Sequence, residues 1–179
     1  MASQSTPSSM QVDHPNHGTT FAGRLPDTPL AEVLAHPDFP SDGWTRKSLR
    51  RGDVLLREGE DSGAVYLVLE GQVRVEGTVR MQSGRQFQAG VAVVGPGAVI
   101  GELALFDAQP HSATVVAESD VAVAVLARTT LRAFLDAHPT LGYQVFGEFL
   151  AQLALRLRAT NARVYKFLAW GLKAYHLDK

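Results

Sequence analysis

Between Trp44 and Arg128 short apolar or alternating runs are separated by glycines, and beyond Arg128 the apolar positions recur at helical spacing. The runs are 53–57, 64–70, 72–76, 85–94, 112–117 and 120–127. Turn signals separate them at Gly52, Gly59, Gly63, Gly71, Gly77, Gly95–Pro96–Gly97 and Ser119–Asp120. Evenly spaced short strands with glycine-rich turns predict a β-sandwich, jelly roll or barrel. Val73 and Val75 alternate with Arg74 and Glu76, which predicts a half-buried strand; the continuous apolar run Val121–Leu126 predicts one buried on both faces.

Helical signals flank this region. Thr28 followed by Pro29 reads as an N-cap and first-turn proline. Leu30, Val33 and Leu34 form the stripe of a short helix that Pro37 and Pro40 end. Thr129 or Thr130 is expected to cap a second short helix carrying Leu131, Phe134 and Leu135, ended by His138–Pro139. A long helix is then expected from about Leu141 to the mid-170s. Phe146, Leu150, Leu153, Leu157, Thr160, Val164, Phe167, Gly171 and Ala174 fall four and three residues apart in alternation, a heptad seam with Thr160 at its middle. The seam outlasts what a small β domain covers, so a homodimer through this helix is favoured over packing on the same chain. The terminal apolar cluster of Phe167, Leu168, Trp170, Leu172 and Tyr175 is expected to pack within the chain rather than to serve a dedicated interface. The resulting division is a disordered polar tail at 1–25, a β-roll with short flanking helices at 26–141 and the long helix at 142–179. His14 and His17, in the tail, are expected to be solvated rather than metal ligands.

Composition narrows the function. A chain of 179 residues with a net charge of −1 holds one domain plus extensions, and is not a generally basic nucleic-acid coat. Residues 142–179 carry six Lys/Arg against two acids, and these charges read as the solvated face of a helix. There are no cysteines, which excludes disulfide scaffolds, thiolate metal sites and cysteine nucleophiles. No apolar run approaches the ~18 residues of a membrane span, and no secretory signal opens the chain. A cytoplasmic protein without membrane insertion is expected.

The stretch with chemistry is Gly95–Thr114, GPGAVIGELALFDAQPHSAT. A glycine-rich turn leads into Gly101-Glu102-Leu103-Ala104-Leu105. A helical turn starting near Gly101 aims unpaired N–H groups at one point, and glycine lets a ligand approach the backbone closely. Glu102 is out of place beside a bare phosphate, but suits a sugar hydroxyl next to one. Ser112 and the N–H groups near Ala113 add donors from the opposite wall.

These residues resemble the cyclic-nucleotide-binding domain of the catabolite activator protein superfamily. Its phosphate-binding cassette reads Gly-Glu-hydrophobic-Ala-Leu, a variable stretch, then Arg-Ser/Thr-Ala; Gly101–Leu105 and Ser112–Ala113 match at the same spacing. Arg51-Gly52-Asp53, Glu58-Gly59-Glu60 and the run Tyr66–Val73 extend the likeness, which covers about Thr28 to Val164. It implies a mainly β fold, a β-roll (jelly roll) with flanking helices followed by a long C-terminal helix. It also implies a non-catalytic sensor that binds cyclic AMP or cyclic GMP and signals through that helix to a partner protein. Glu102 would meet the ribose 2′-hydroxyl, Gly101 and Leu103 would lend N–H groups, and Ser112 and Ala113 would contact the cyclic phosphate. Thr160 and Asn161 fall where relatives touch the base from the long helix.

Two departures matter. The family's phosphate-binding arginine is His111 here. Arginine offers a permanent charge and a two-pronged fork; an imidazole offers one donor per ring nitrogen, and a bound phosphate favours its protonated form. The alternative is therefore a degenerate domain without nucleotide, acting as a dimeric protein-interaction module. Secondly, activator-type regulators carry a helix-turn-helix reader after the long helix, whereas this sequence ends at Lys179. No sequence-specific DNA binding by this chain is expected. An enzyme is disfavoured: among His14, His17, His36, His111, His138 and His176 no His-x-His pair lies in the β region to hold a metal, and no nucleophile elbow or phosphate loop appears. No metal and no cofactor beyond the nucleotide ligand is expected.

Overall fold

The computed structural model describes residues 12–13, 25–80, 83–107 and 109–174. Among these described residues nine strands and four helices follow in the order β1 (Val12–Asp13), α1 (Pro29–Ala35), β2 (Trp44–Leu49), β3 (Val54–Leu56), β4 (Ala64–Glu70), β5 (Val73–Arg80), β6 (Gln86–Val94), β7 (Val99–Ile100), α2 (Ala104–Asp107), β8 (Thr114–Ala117), β9 (Val121–Ala127), α3 (Arg128–Ala137) and α4 (Pro139–Ala174). One sheet has the order β1-β2-β9-β4-β7 and the other β3-β8-β5-β6. All pairings are antiparallel. This is the expected β-roll followed by a long helix. It divides into two units, Met1–His138 and Pro139–Lys179.

The core of the first unit follows from the strand patterns. Val121 to Ala124 and Leu126 are buried, as the continuous apolar run requires, and Ala64 to Leu69 are equally covered. β4 and β9 pair from Ala64↔Ala127 to Glu70↔Ala122, with one irregularity between Val68 and Glu70. One face of the pair sends Ala64, Tyr66, Val68, Val121 and Val123 into a cluster with Leu55, Val73 and Val115. Burying side chains of this size stabilises by about 1.5–3 kcal/mol each. Arg74, opposite in facing to Val73, is tied to Glu76 at 2.8 Å and to Glu118 on the β8–β9 connection.

The helices keep most of their sequence signals. Thr28 caps α1, its hydroxyl accepting from the Ala31 N–H at 3.2 Å, with Pro29 in the first turn. Three boundaries differ. α3 starts at Arg128 behind Ala127, which has no side-chain cap; Thr129 and Thr130 lie inside the helix. The chain passes directly from β9 into it, and the buried Leu131, Phe134 and Leu135 stripe anchors the helix without a cap. α4 starts at Pro139, so this proline opens the long helix as well as closing α3; proline suits a first helical turn, where its missing N–H has no partner to lose. Gly77, read as a turn, lies within β5 opposite Ala89, just past a register shift at Val75/Glu76.

Between Trp44 and Arg128 two strands have no counterpart among the expected runs. β2 is one, and β7 is a two-residue strand held by Tyr66↔Ile100 and Leu67↔Val99. In the segment expected to be disordered, Val12 and Asp13 pair with Lys47 and Arg46; the rest of 1–24 lies outside the described residues.

The second unit is one helix of 36 residues, about 54 Å long at 1.5 Å per residue. Val145 and Phe149 are fully buried, whereas Leu150, Leu157, Val164, Phe167, Leu168, Trp170 and Leu172 are exposed. The terminal aromatic cluster is therefore not packed within the chain as expected: Phe167 and Trp170 are 73% and 72% exposed. A single helix of this length has no second layer of its own against which to fold its distal half. Tyr175 lies outside the described residues.

Gly71 makes the tightest turn. Its φ of +77° is left-handed, and a Cβ there would stand 2.1 Å from the Asp120 carbonyl oxygen. Gly52, at φ +91°, has open space around the same position. Gly71→Ala is expected to lower unfolding free energy by about 3 kcal/mol or more, against about 1 kcal/mol for Gly52→Ala, which bears conformational strain alone. Urea denaturation of both variants measures the difference.

Candidate functional site

The cassette begins where β7 ends. Gly101 has φ +79°, and a Cβ there would stand 3.0 Å from the Ala64 carbonyl oxygen, so the chain can leave β7 beside β4 only with glycine at this position. The turn continues through Glu102 and Leu103 into α2, with the Leu105 N–H donating to the Glu102 carbonyl at 3.0 Å and the Phe106 N–H to the Leu103 carbonyl at 2.8 Å. The expected helical turn is thus present, although regular α-helix starts at Ala104 and lasts four residues. The Arg132 guanidinium of α3 donates to the Leu105 carbonyl at 3.1 Å and ties α2 to α3. Glu102 is 3% exposed, while Leu103 is 38% exposed.

The opposite wall is pinned through its backbone. The His111 N–H donates to the Glu60 carbonyl at 2.9 Å, and the Gly59 N–H donates to the His111 carbonyl at 2.8 Å. Glu58 N–H donates to the Thr114 hydroxyl at 3.1 Å, and the Glu58 carboxylate accepts from the Thr78 N–H at 3.1 Å. The Glu58-Gly59-Glu60 turn therefore holds residues 111–114 in place. Ser112 is exposed and Ala113 half-buried, so this wall keeps polar groups accessible.

The His111 ring turns inward. It is 8% exposed, its Nε2 lies 2.9 Å from the Ser62 hydroxyl, and the Ser62 N–H approaches the same nitrogen at 3.4 Å. Its Cε1 would stand 3.5 Å from a Cβ on Gly101, so imidazole and cassette turn are neighbours. Ser62 belongs to a turn built by Asp61, whose carboxylate accepts from the Gly63 N–H at 2.8 Å and from Arg128 at 3.1 Å. The Gly63 N–H first, then the Arg128 guanidinium, hold the Asp61 carboxyl below the usual carboxylate range.

Glu102 and His111 are the two buried polar or charged residues among those described. Burying such groups costs free energy unless partners compensate. In an otherwise apolar roll, both fall in the one segment picked out for its chemistry. The structure therefore brings Gly101, Glu102 and Leu103 onto one turn, and His111, Ser112 and Ala113 onto the segment leading into β8. Thr160 and Asn161 are exposed positions of α4, in the second unit. Ser62 and Arg132 were not legible as site residues: the first carried only a turn signal and the second an ordinary helix-surface charge.

Comparison with known proteins decides the family. Residues 46–138 match the family model described as cyclic nucleotide-binding domain. The chain belongs to that family. A relative is the CRP-like cAMP-activated global transcriptional regulator of Mycobacterium tuberculosis, 30% identical over 136 residues, covering 74% of this chain and 51% of the regulator. The chain thus spans about half the length of the curated relatives it matches first. Among solved structures, a cyclic nucleotide-binding domain from Methylobacillus flagellatus is 32% identical at a TM-score of 0.61, covering 69% of this chain and 67% of that one. The N-terminal domain of a transcriptional regulator from Streptomyces coelicolor is 34% identical at a TM-score of 0.51, covering 78% and 87%. Among the described residues no helix is long and apolar enough to cross a membrane.

In this cyclic nucleotide-binding domain the Asp61 turn makes a specific contribution. A carboxylate held below its usual range stabilises the fold above the unfolded-state value, and that contribution is lost as pH falls through the folded-state value. Asp61→Asn, which keeps an acceptor for Gly63 but loses the charge facing Arg128, is expected to lower Tm at pH 7. The gap from the parent protein should shrink as pH drops below about 4. Thermal melts at pH 7, 4 and 2.5 check the sign.

Proposed function

We propose that the cassette binds a cyclic nucleotide, cyclic AMP or cyclic GMP, and that the domain is a regulatory sensor rather than a catalyst. Glu102 accepts from the ribose 2′-hydroxyl. The N–H groups of Gly101 and Leu103, with Ser112 and Ala113, receive the cyclic phosphate. His111 takes the place of the family's arginine, and the signal leaves through α4 to a partner protein. The observation that supports this most is that the two buried polar side chains among the described residues, Glu102 and His111, both belong to the cassette.

An imidazole held by Ser62 is a weaker phosphate ligand than a guanidinium fork. Losing a charge-assisted two-pronged contact costs about 1.5–3 kcal/mol, or roughly 10- to 100-fold in affinity. Calorimetry with each nucleotide is expected to show binding to the parent protein. His111→Arg is expected to tighten it roughly 10- to 100-fold. No heat with millimolar nucleotide overturns the reading.

A second reading, a nucleotide-free interaction module that dimerises, is favoured by the inward-facing His111 ring and by the exposed apolar residues of α4. Leu150, Leu157, Val164 and Phe167 occupy heptad positions and are 68%, 61%, 48% and 73% exposed in the single chain. A second copy covering this seam is proposed under either reading. Sedimentation equilibrium is expected to give a dimer mass at tens of micromolar, and Leu157→Asp a monomer. A monomeric parent protein rejects the dimer.

A further inference from the structure

We propose that His36, Asp38 and His138 form a binding site for a borderline divalent cation, of which Zn²⁺ is the type. One ligand atom from each of the three residues lies within 4.8 Å of the others. His138 Nε2 is 3.3 Å from Asp38 Oδ2, and His36 Nδ1 is 3.9 Å from the same oxygen. Ligands of a tetrahedral zinc at 2.0–2.1 Å stand about 3.4 Å apart, close to these separations. His36 Nδ1 accepts from the Asp38 N–H at 3.2 Å, so its lone pair already faces Asp38, and a small side-chain rotation exchanges that bond for the ion.

The tautomer of His138 points the same way. Its Nδ1 lies 3.0 Å from the Phe134 carbonyl, which can only accept, so Nδ1 carries the hydrogen. In the neutral ring Nε2 then presents a lone pair to a carboxylate oxygen, two acceptors facing one another. A proton or a metal ion between them resolves the opposition. A histidine whose second nitrogen donates to a backbone carbonyl is the usual arrangement behind a metal ligand, because it fixes tautomer and ring orientation.

The rings are held in place before any ion arrives. His138 stacks on Phe134 with centroids 4.1 Å apart, and His36 meets the edge of Phe134 at 5.2 Å. Phe134 itself is buried and braced by Phe39 at 5.1 Å. The backbone also contributes. His36 is the C-cap of α1 and His138 that of α3, each N–H donating back into its helix. The side chains of His36 and His138 are 30% and 27% exposed, and that of Asp38 68%, so an ion reaches them from solvent. An open hollow of about 490 Å³, lined by Asp38, His138, Thr129 and Thr130 among others, borders the group and leaves room for a water as fourth ligand. Two imidazoles and one carboxylate select zinc-like ions over Mg²⁺ or Ca²⁺, which take oxygen donors.

The test uses the full chain without an affinity tag, stripped by chelator, in a background where His14, His17 and His176 are alanine. Titration with Zn²⁺ alone is expected to give one site with a dissociation constant of micromolar or below, and Co²⁺ a visible spectrum of tetrahedral nitrogen and oxygen ligation. His36→Gln and His138→Gln are each expected to weaken Zn²⁺ at least tenfold, and Mg²⁺ should not compete. Asp38→Asn, at an exposed position, should weaken it comparably without loss of fold, and stands in if a histidine variant does not fold. Absence of binding up to 1 mM Zn²⁺, or affinity unchanged by Asp38→Asn, overturns the site and leaves a His138–Asp38 ion pair.

Discussion

The antiparallel pair β4–β9 is the constraint on which the rest of the roll depends. Both strands are buried on both faces, so a slip of one residue would exchange every side chain between two apolar environments of different shape. The register is therefore fixed, and it runs past the strand ends: the Arg128 N–H donates to the Gly63 carbonyl at 2.9 Å. That bond places the Asp61–Ser62–Gly63 turn against the start of α3. It thereby places the hydroxyl that meets His111, and β7, on the opposite edge, delivers Gly101 to the same end of β4. Packing energy, which has no direction of its own, is converted by register into the position of a few polar atoms.

Those polar atoms are few, and their cost explains where they sit. A roll this apolar tolerates a buried carboxylate and a buried imidazole only where neighbouring groups compensate each. For His111 the compensation is Ser62. The arrangement departs from the arginine pattern that the cassette otherwise follows: an imidazole turned to Ser62 stands where a guanidinium fork is usual.

Much of the fold was legible because the signals were local. The Ala64–Glu70 run matches β4 residue for residue, and the Thr28–Pro29 cap needs only its own helix turn. β2 was not legible, because Trp44–Leu49 carries Thr45, Arg46, Lys47 and Ser48 in mostly half-buried positions and becomes a strand only through its pairing with β9. β7 is two residues long and is defined by its partner alone. The cassette was readable as a motif, since its residues lie within one short stretch. The inward turn of His111 was not, because Ser62 is 49 positions away. The same distance problem hid the approach of His138 to Asp38, 100 residues apart, which no spacing rule detects.

The two backbone bonds that lock residue 111 between Gly59 and Glu60 have a consequence for how such a pocket diversifies. They involve no side-chain atom of residue 111, so any amino acid except proline, which lacks the N–H, keeps the same two bonds. The side chain at this wall can therefore change without rebuilding the loop that carries it. Side-chain identity and backbone path are separable here, and a substitution at residue 111 needs no accompanying repair of the turn that holds it.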